Sequence, residues 1–301
     1  MLRVAHILNP VAVNKNSDLY YAQPITFESM RRAKLFVQDK VQVEFLSVQY
    51  EEDEKVVPEY FTKLPNLQRS VRDVSGFEKV KKFPLIADIL LAAYNNSSAE
   101  YIIYTNTDIT VVPHFYEAAA ALIAEGYDAV TFSRRRIENK WTSIEDLPLA
   151  LAEMGKLHPG YDCFILHRSL IPKFILSNIC IGTGFVSVAL IHNLIAFADK
   201  PLITDKLHLT VHLGLEVMPP LEQNVYRFTR SDYEQNILPK IKPLLQLHKF
   251  PYSALPWHKR MVKWMLNPNF STQILVELEG KNFRRKIKGL IDEVRFSMLG
   301  K

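Results

Sequence analysis

The sequence predicts an α/β protein built on a mostly parallel sheet with helices on both faces, followed by a helical C-terminal appendage. Three observations lead there. Short apolar runs of strand length alternate with segments of helical periodicity over residues 3–133. Alternation at that spacing implies crossover helices and hence parallel strands. No stretch rich in Gly, Ser or Pro divides the body and no internal repeat is visible, while a composition of 48% hydrophobic, 11% aromatic and 23% charged residues over 301 positions suits a folded domain rather than a disordered chain.

The elements follow in order. "RVAHILNP" reads as a buried strand ending at Asn9-Pro10, and "TFESMRRAKLFVQ" as a helix capped by Thr26, with Phe27, Met30, Ala33 and Val37 on one face. "VQVEFLSVQY" alternates like a strand and gives way to the acidic loop "EEDE". "FPLIADILLAAYNN" reads as a helix with Pro84 in its first turn. Tyr101 to Thr105 is a strand, Pro113 opens another helix closed by Gly126, and "DAVTFS" is a strand that leaves Arg134, Arg135 and Arg136 just beyond its end. "YDCFILHR" and "LHLTVHLG" read as strands, the first preceded by a Pro-Gly turn at His158 to Tyr161.

The uncharged run from Phe174 to Ala198 is long enough to cross a bilayer. Its polar residues and the pair Gly182 and Gly184 instead predict a loop and a buried helix from about Phe185 to Ala198. Two cysteines at no metal-type spacing predict a reducing compartment, and "MLRVAHILNP" lacks the pattern of a secretory signal. A cytoplasmic setting is expected.

Charge is uneven. Residues 249–301 carry 11 Lys+Arg against 4 Asp+Glu, leaving 26 basic and 28 acidic groups in the first 248. The basic pI therefore belongs to the tail, which argues against nucleic acid as a partner of the body. "PWHKRMVKWML" places Trp257, Met261 and Trp264 on one helical face, and "NFRRKIKGLIDEVRFSML" aligns Ile287, Leu290, Ile291, Val294 and Met298. Basic residues beside such stripes suit contact with a membrane surface, and equally suit two helices packed on the domain.

The chemistry gathers at "YIIYTNTDI". A carboxylate at the carboxyl end of a buried strand lies where open α/β sheets bind ligands. Asp108 there can hold Mg²⁺ or Mn²⁺, hard ions that take oxygen ligands and share phosphates. The competing role is an ordinary helix-capping Asp. The triplet Asn106-Thr107-Asp108 resembles the D-x-D motif of GT-A glycosyltransferases, which use nucleotide sugars, with Asn in place of the first Asp.

The resemblance covers about residues 1–215, within an expected nucleotide-sugar-binding and catalytic domain of residues 1–223, with 224–301 as a basic helical region. It implies a divalent metal on Asp108, with His212 as a late metal ligand and Asn106 supporting the donor. The loop at Asn9 would cradle the nucleotide base. Arg134 is a candidate for diphosphate oxygens, and His158 and Tyr161 for substrate. Asp162 is the candidate base for an acceptor hydroxyl, or else an Asx turn or the partner of Arg168. His212 has rivals too: a zinc pair with His208, or a packed histidine. The expected function is transfer of a sugar from a nucleotide diphosphate sugar to a glycan or lipid-linked acceptor. The alternatives are a non-catalytic nucleotide- or sugar-binding protein and a sugar nucleotidyltransferase.

Overall fold

A computed structural model describes residues 1–138, 140–182, 185–214 and 223–266. Its strands are β1 (Leu2–Leu8), β2 (Val41–Ser47), β3 (Thr62–Lys63), β4 (Tyr101–Thr105), β5 (Ile109–Val111), β6 (Ala129–Ile137), β7 (Lys156–His167), β8 (Pro201–Thr204) and β9 (Thr210–Leu213). The helices are α1 (Leu19–Val37), α2 (Val71–Ser75), α3 (Ile86–Asn96), α4 (Phe115–Ala124), α5 (Leu147–Ala152), α6 (Phe185–Phe197), α7 (Gln223–Asp232), α8 (Leu238–Ile241) and α9 (Trp257–Met265).

One sheet runs in the order β3-β2-β1-β4-β7-β6-β9-β5, with β8 also on β6. Pairing is parallel from β3 to β4, antiparallel on both sides of β7 and between β5 and β9, and parallel where β6 meets β8 and β9. The expected mixed α/β architecture with a mostly parallel sheet is what forms. Period-two alternation builds its two cores. Ala5, Ile7, Ile102 and Tyr104 face α3 and α6, whereas Val4, Leu8, Tyr101 and Ile103 face α1 and α4.

Four local expectations need correcting. Helix α1 starts at Leu19 and runs through Pro24, with Thr26 buried inside it rather than capping it. The first turns are tied down by Gln23, whose side chain exchanges hydrogen bonds with the backbone of Val11 at 2.9 and 2.8 Å. Strand β6 continues to Ile137, so the three arginines lie on the strand and not after it, because β7 and β9 give their backbone partners. The Pro-Gly segment 158–160 is not a free turn but part of β7, accommodated by register shifts against β6 on either side of Ser133.

The fourth concerns α9. Trp264 is buried, donates from Nε1 to Pro251 O at 2.6 Å, and with Met261 belongs to the core that holds β1 and β4, while Trp257 is 67% exposed. The apolar stripe read from the sequence is therefore mainly the packing face. The second C-terminal stripe, from Ile287 to Met298, lies outside the described residues. Among them, no helix is long and apolar enough to cross a membrane.

Candidate functional site

Strand β4 ends at Thr105, and the chain turns through Asn106 to Asp108, with Ile109 N–H donating to Asn106 O, before entering β5. Helix α1 fixes β5 from one side through Ser29 Oγ, which accepts from Val111 N–H at 3.0 Å. On the other side β5 pairs with β9 in the register Ile109 to His212. That register alone sets His212 beside Asp108. Its Nε2 is 3.1 Å from Asp108 Oδ2.

The imidazole is oriented from behind. His212 Nδ1 lies 3.0 Å from Gly214 O, and a carbonyl can only accept, so Nδ1 carries a proton. Nε2 then meets the carboxylate either as the N–H of an imidazolium or as a lone pair sharing a cation with it. Gly214 holds φ +117°, a conformation that L side chains rarely adopt.

The other oxygen, Asp108 Oδ1, is buried with no hydrogen-bond partner among the described residues. Burial pushes the Asp108 carboxyl up, but the charge and hydrogen bond of His212, with Arg134 behind them, outweigh it and hold the group below its ordinary value. An ionised carboxylate with one bare oxygen and an imidazole at its side fit a hard divalent cation. Among the described residues no third His, Cys, Asp or Glu joins them, so phosphate and water oxygens would have to complete the shell.

The β6–β7 bulges build the facing wall. Alternation along β6 sends Arg134 and Arg136 to one side and Arg135 to the other, where Arg135 Nη1 donates to Met154 O at 2.7 Å. Arg134 is ion-paired with Asp162, and both side chains are mostly buried, at 16% and 11% exposure. Arg134 also acts on Asp108 at a distance. Its own pKa is lowered to about 10, chiefly by burial, with Asp108 opposing the fall and Arg136 adding to it.

His158 accepts from Gly160 N–H through Nδ1 at 2.9 Å, and its pKa is lowered to about 4 by burial and then by Arg134, Arg136 and His212. A Cβ on Gly160 would lie 2.7 Å from His158 Nδ1 and 3.5 Å from the Arg134 guanidinium carbon, so the glycine makes room for both. The wall thus carries positive charge in excess of its one carboxylate.

The structure brings Asp108, His212, Arg134, His158 and Asp162 into one cluster. Asn106 sits at its edge, where Oδ1 accepts from the Tyr104 hydroxyl at 2.8 Å. Asn9 follows β1, the parallel neighbour of β4, and its amide nitrogen is committed to Val48 O at 2.7 Å, so it shapes the loop after β1. Tyr161 is 1% exposed and packs in the core, its carbonyl accepting from Ser187 Oγ. His208 falls outside the cluster: it precedes β9, and the charges that act on it are Arg135 and His114. Arg168, the sequence-level partner considered for Asp162, donates instead to Tyr94 O.

No family model matches this chain, and no curated protein matches it. Among solved structures, residues 1–349 of TarS from S. aureus, in complex with UDP-GlcNAc, align at a TM-score of 0.47 and 10% identity, over 86% of this chain and 78% of that one. Glucosyl-3-phosphoglycerate synthase from Mycobacterium tuberculosis, in complex with Mn²⁺, UDP and glucosyl-3-phosphoglycerate, aligns at a TM-score of 0.45 and 15% identity over 80% of each chain. Neither alignment gives a side chain of this protein its role.

Sequence reasoning missed three contributors. Asp53 was seen only as part of an acidic loop, yet it is buried and accepts from Ala12 N–H at 2.7 Å, tying the loop after β1 to the end of β2. Gly160 and Gly214 support His158 and His212. A glycine inside a strand pattern is the signal for the first, since it marks a bulge or a close approach.

Proposed function

We propose that this chain is a metal-dependent glycosyltransferase that moves a sugar from a nucleotide diphosphate sugar to an acceptor hydroxyl. One observation carries the reading: a carboxylate and an imidazole sit 3.1 Å apart beside a buried, unpartnered carboxylate oxygen, facing a wall of arginine. Two protein ligands are too few for a closed metal site and suit one completed by a ligand's own phosphates.

Asp108 and His212 would hold Mn²⁺ or Mg²⁺, which supplies charge neutralisation to a departing diphosphate. Arg134 would bind diphosphate oxygens, while Asn106 and the loop after Asn9 would position the nucleoside side of the donor. In an inverting reaction the acceptor oxygen bonds to the anomeric carbon as the bond to the diphosphate oxygen breaks. The bonding pair leaves with the diphosphate, and the hydroxyl proton passes to Asp162.

The test is a thermal-shift panel of UDP-, GDP- and dTDP-sugars with and without Mn²⁺, on wild type and Asp108→Ala. The reading expects stabilisation by one donor, dependent on metal and lost in the variant. A shift that ignores Asp108 would sink it. Stabilisation without turnover over an acceptor panel would favour the non-catalytic binding protein.

A lipid-linked acceptor and contact with the inner face of a membrane extend this proposal. Helix α9 and its C-cap Leu266 expose Val262, Met265 and Leu266 at 51–73%, next to exposed Lys259 and Lys263 and with no acidic residue in the helix. Neither Cys163 nor Cys180 is in a disulfide, which suits a cytoplasmic setting. Co-sedimentation with anionic vesicles, set against neutral ones, checks the membrane half; no difference between the two removes it.

A further inference from the structure

The candidate base is not free to act as one. Asp162 is ion-paired with Arg134 inside a site where both are mostly buried. A carboxylate whose lone pairs face a guanidinium is a poor acceptor for a hydroxyl proton. Arg134 has a second claim on it, since its charge acts on Asp108. Among the described residues its Nε is buried without a hydrogen-bond partner, so the guanidinium has a donor to spare. A guanidinium cannot settle the conflict by losing a proton. It can only change partners.

We propose that Arg134 is a positioning residue with two stations: on Asp162 when no diphosphate is bound, and on the diphosphate oxygens when one is. The donor's arrival then strips Asp162 of its cation and frees it for the acceptor hydroxyl. The inference rests on the glycosyltransferase reading above and adds its regulation. Two further observations support exchange over a static bridge. Asp162 lies within the first register shift of β7, between Phe164 and Tyr161, where the ladder is interrupted and a side chain can be re-aimed. Alternation along β6 also puts Arg136 on the side of Arg134, so the wall keeps a second guanidinium whichever station Arg134 takes.

The exchange makes an unusual demand. Removing the charge of Asp162 should harm turnover and improve donor binding, because the donor no longer competes for Arg134. Calorimetry of pyrophosphate, UDP, GDP and dTDP with Mn²⁺ reads this without knowledge of the acceptor. For Asp162→Asn, or Asp162→Ser should the first variant lose its melting transition, affinity should rise about three- to tenfold over wild type. For Arg134→Gln it should fall about tenfold or more. A crystal structure of wild type with Mn²⁺ and pyrophosphate should show Arg134 on phosphate oxygens and beyond ion-pair distance from Asp162.

Unchanged or weaker binding in both Asp162 variants would overturn the inference while leaving the glycosyltransferase reading intact. So would Arg134 still on Asp162 in the complex. If wild type binds none of the four probes with metal, the underlying reading fails first and the exchange falls with it.

Discussion

Two carboxylates line the site, each beside a nitrogen base, and the two pairs are built for opposite visitors. Asp108 meets an imidazole at 3.1 Å and, among the described residues, its other oxygen has neither hydrogen bond nor ion pair, while Asp162 is ion-paired with a guanidinium. An imidazole can give up its Nε2 proton and leave a lone pair for a metal; an arginine keeps its protons and yields only to a stronger anion. The first pair therefore opens to a cation and the second to a phosphate. Their separation follows from topology, since the first is made by β5 and β9 and the second by β6 and β7.

The sharpest way to break the contrast is to delete one carboxylate at a time. Asp108→Ala should lower turnover by about 10³-fold or more, because it removes the residue that seats the cation. Metal-dependent donor binding should vanish with it. Asp162→Asn should lower turnover by roughly 10²- to 10³-fold through loss of the base, while donor binding tightens. If both variants lost donor binding alike, the two pairs would be one structural network and the contrast would be wrong. Arg134→Lys keeps the charge and discards the planar fork. It should weaken pyrophosphate binding by about 2 kcal/mol, read by calorimetry. An unchanged affinity would mean that Arg134 contributes charge alone.

These pairs were unequally legible in the sequence. Asp108 announces itself, because an apolar run that stops at a carboxylate is a local pattern and its burial is set by five consecutive residues of β4. His212 was reached only by resemblance, and what places it is the β5–β9 register, a contact over a separation of 104 residues. Arg134 was found as a candidate but for the wrong local reason, just past a strand that in fact carries it. For Asp162 the partner considered is the nearby Arg168, whereas the pairing of β6 with a bulged β7 supplies Arg134. Local periodicity wrote the layers of the fold. The site's charge pairs depend on which strands become neighbours, and a one-residue bulge is enough to redirect a side chain.

A third imidazole sharpens the comparison by lacking a carboxylate altogether. His6, on β1, is buried between the Tyr116 hydroxyl at 2.8 Å and Thr105 Oγ1 at 2.9 Å, and burial lowers its pKa to about 3. Where His212 can share a cation with Asp108, His6 is held neutral and pins the end of β4 to β1 and α4. The sign of the linkage follows. A histidine whose folded value lies below its unfolded value stabilises the fold fully above the unfolded pKa, and the contribution erodes as pH falls toward the folded one. Between about pH 7 and about pH 5.5 the loss is roughly 1 kcal/mol, given an unfolded value of about 6.5. Urea unfolding at the two pH values should show that difference in wild type. His6→Gln, which offers the same two hydroxyls an amide that does not titrate, should start less stable at neutral pH and lose less on acidification. An equal loss in wild type and variant would move the acid sensitivity elsewhere and leave His6 an ordinary packed ring.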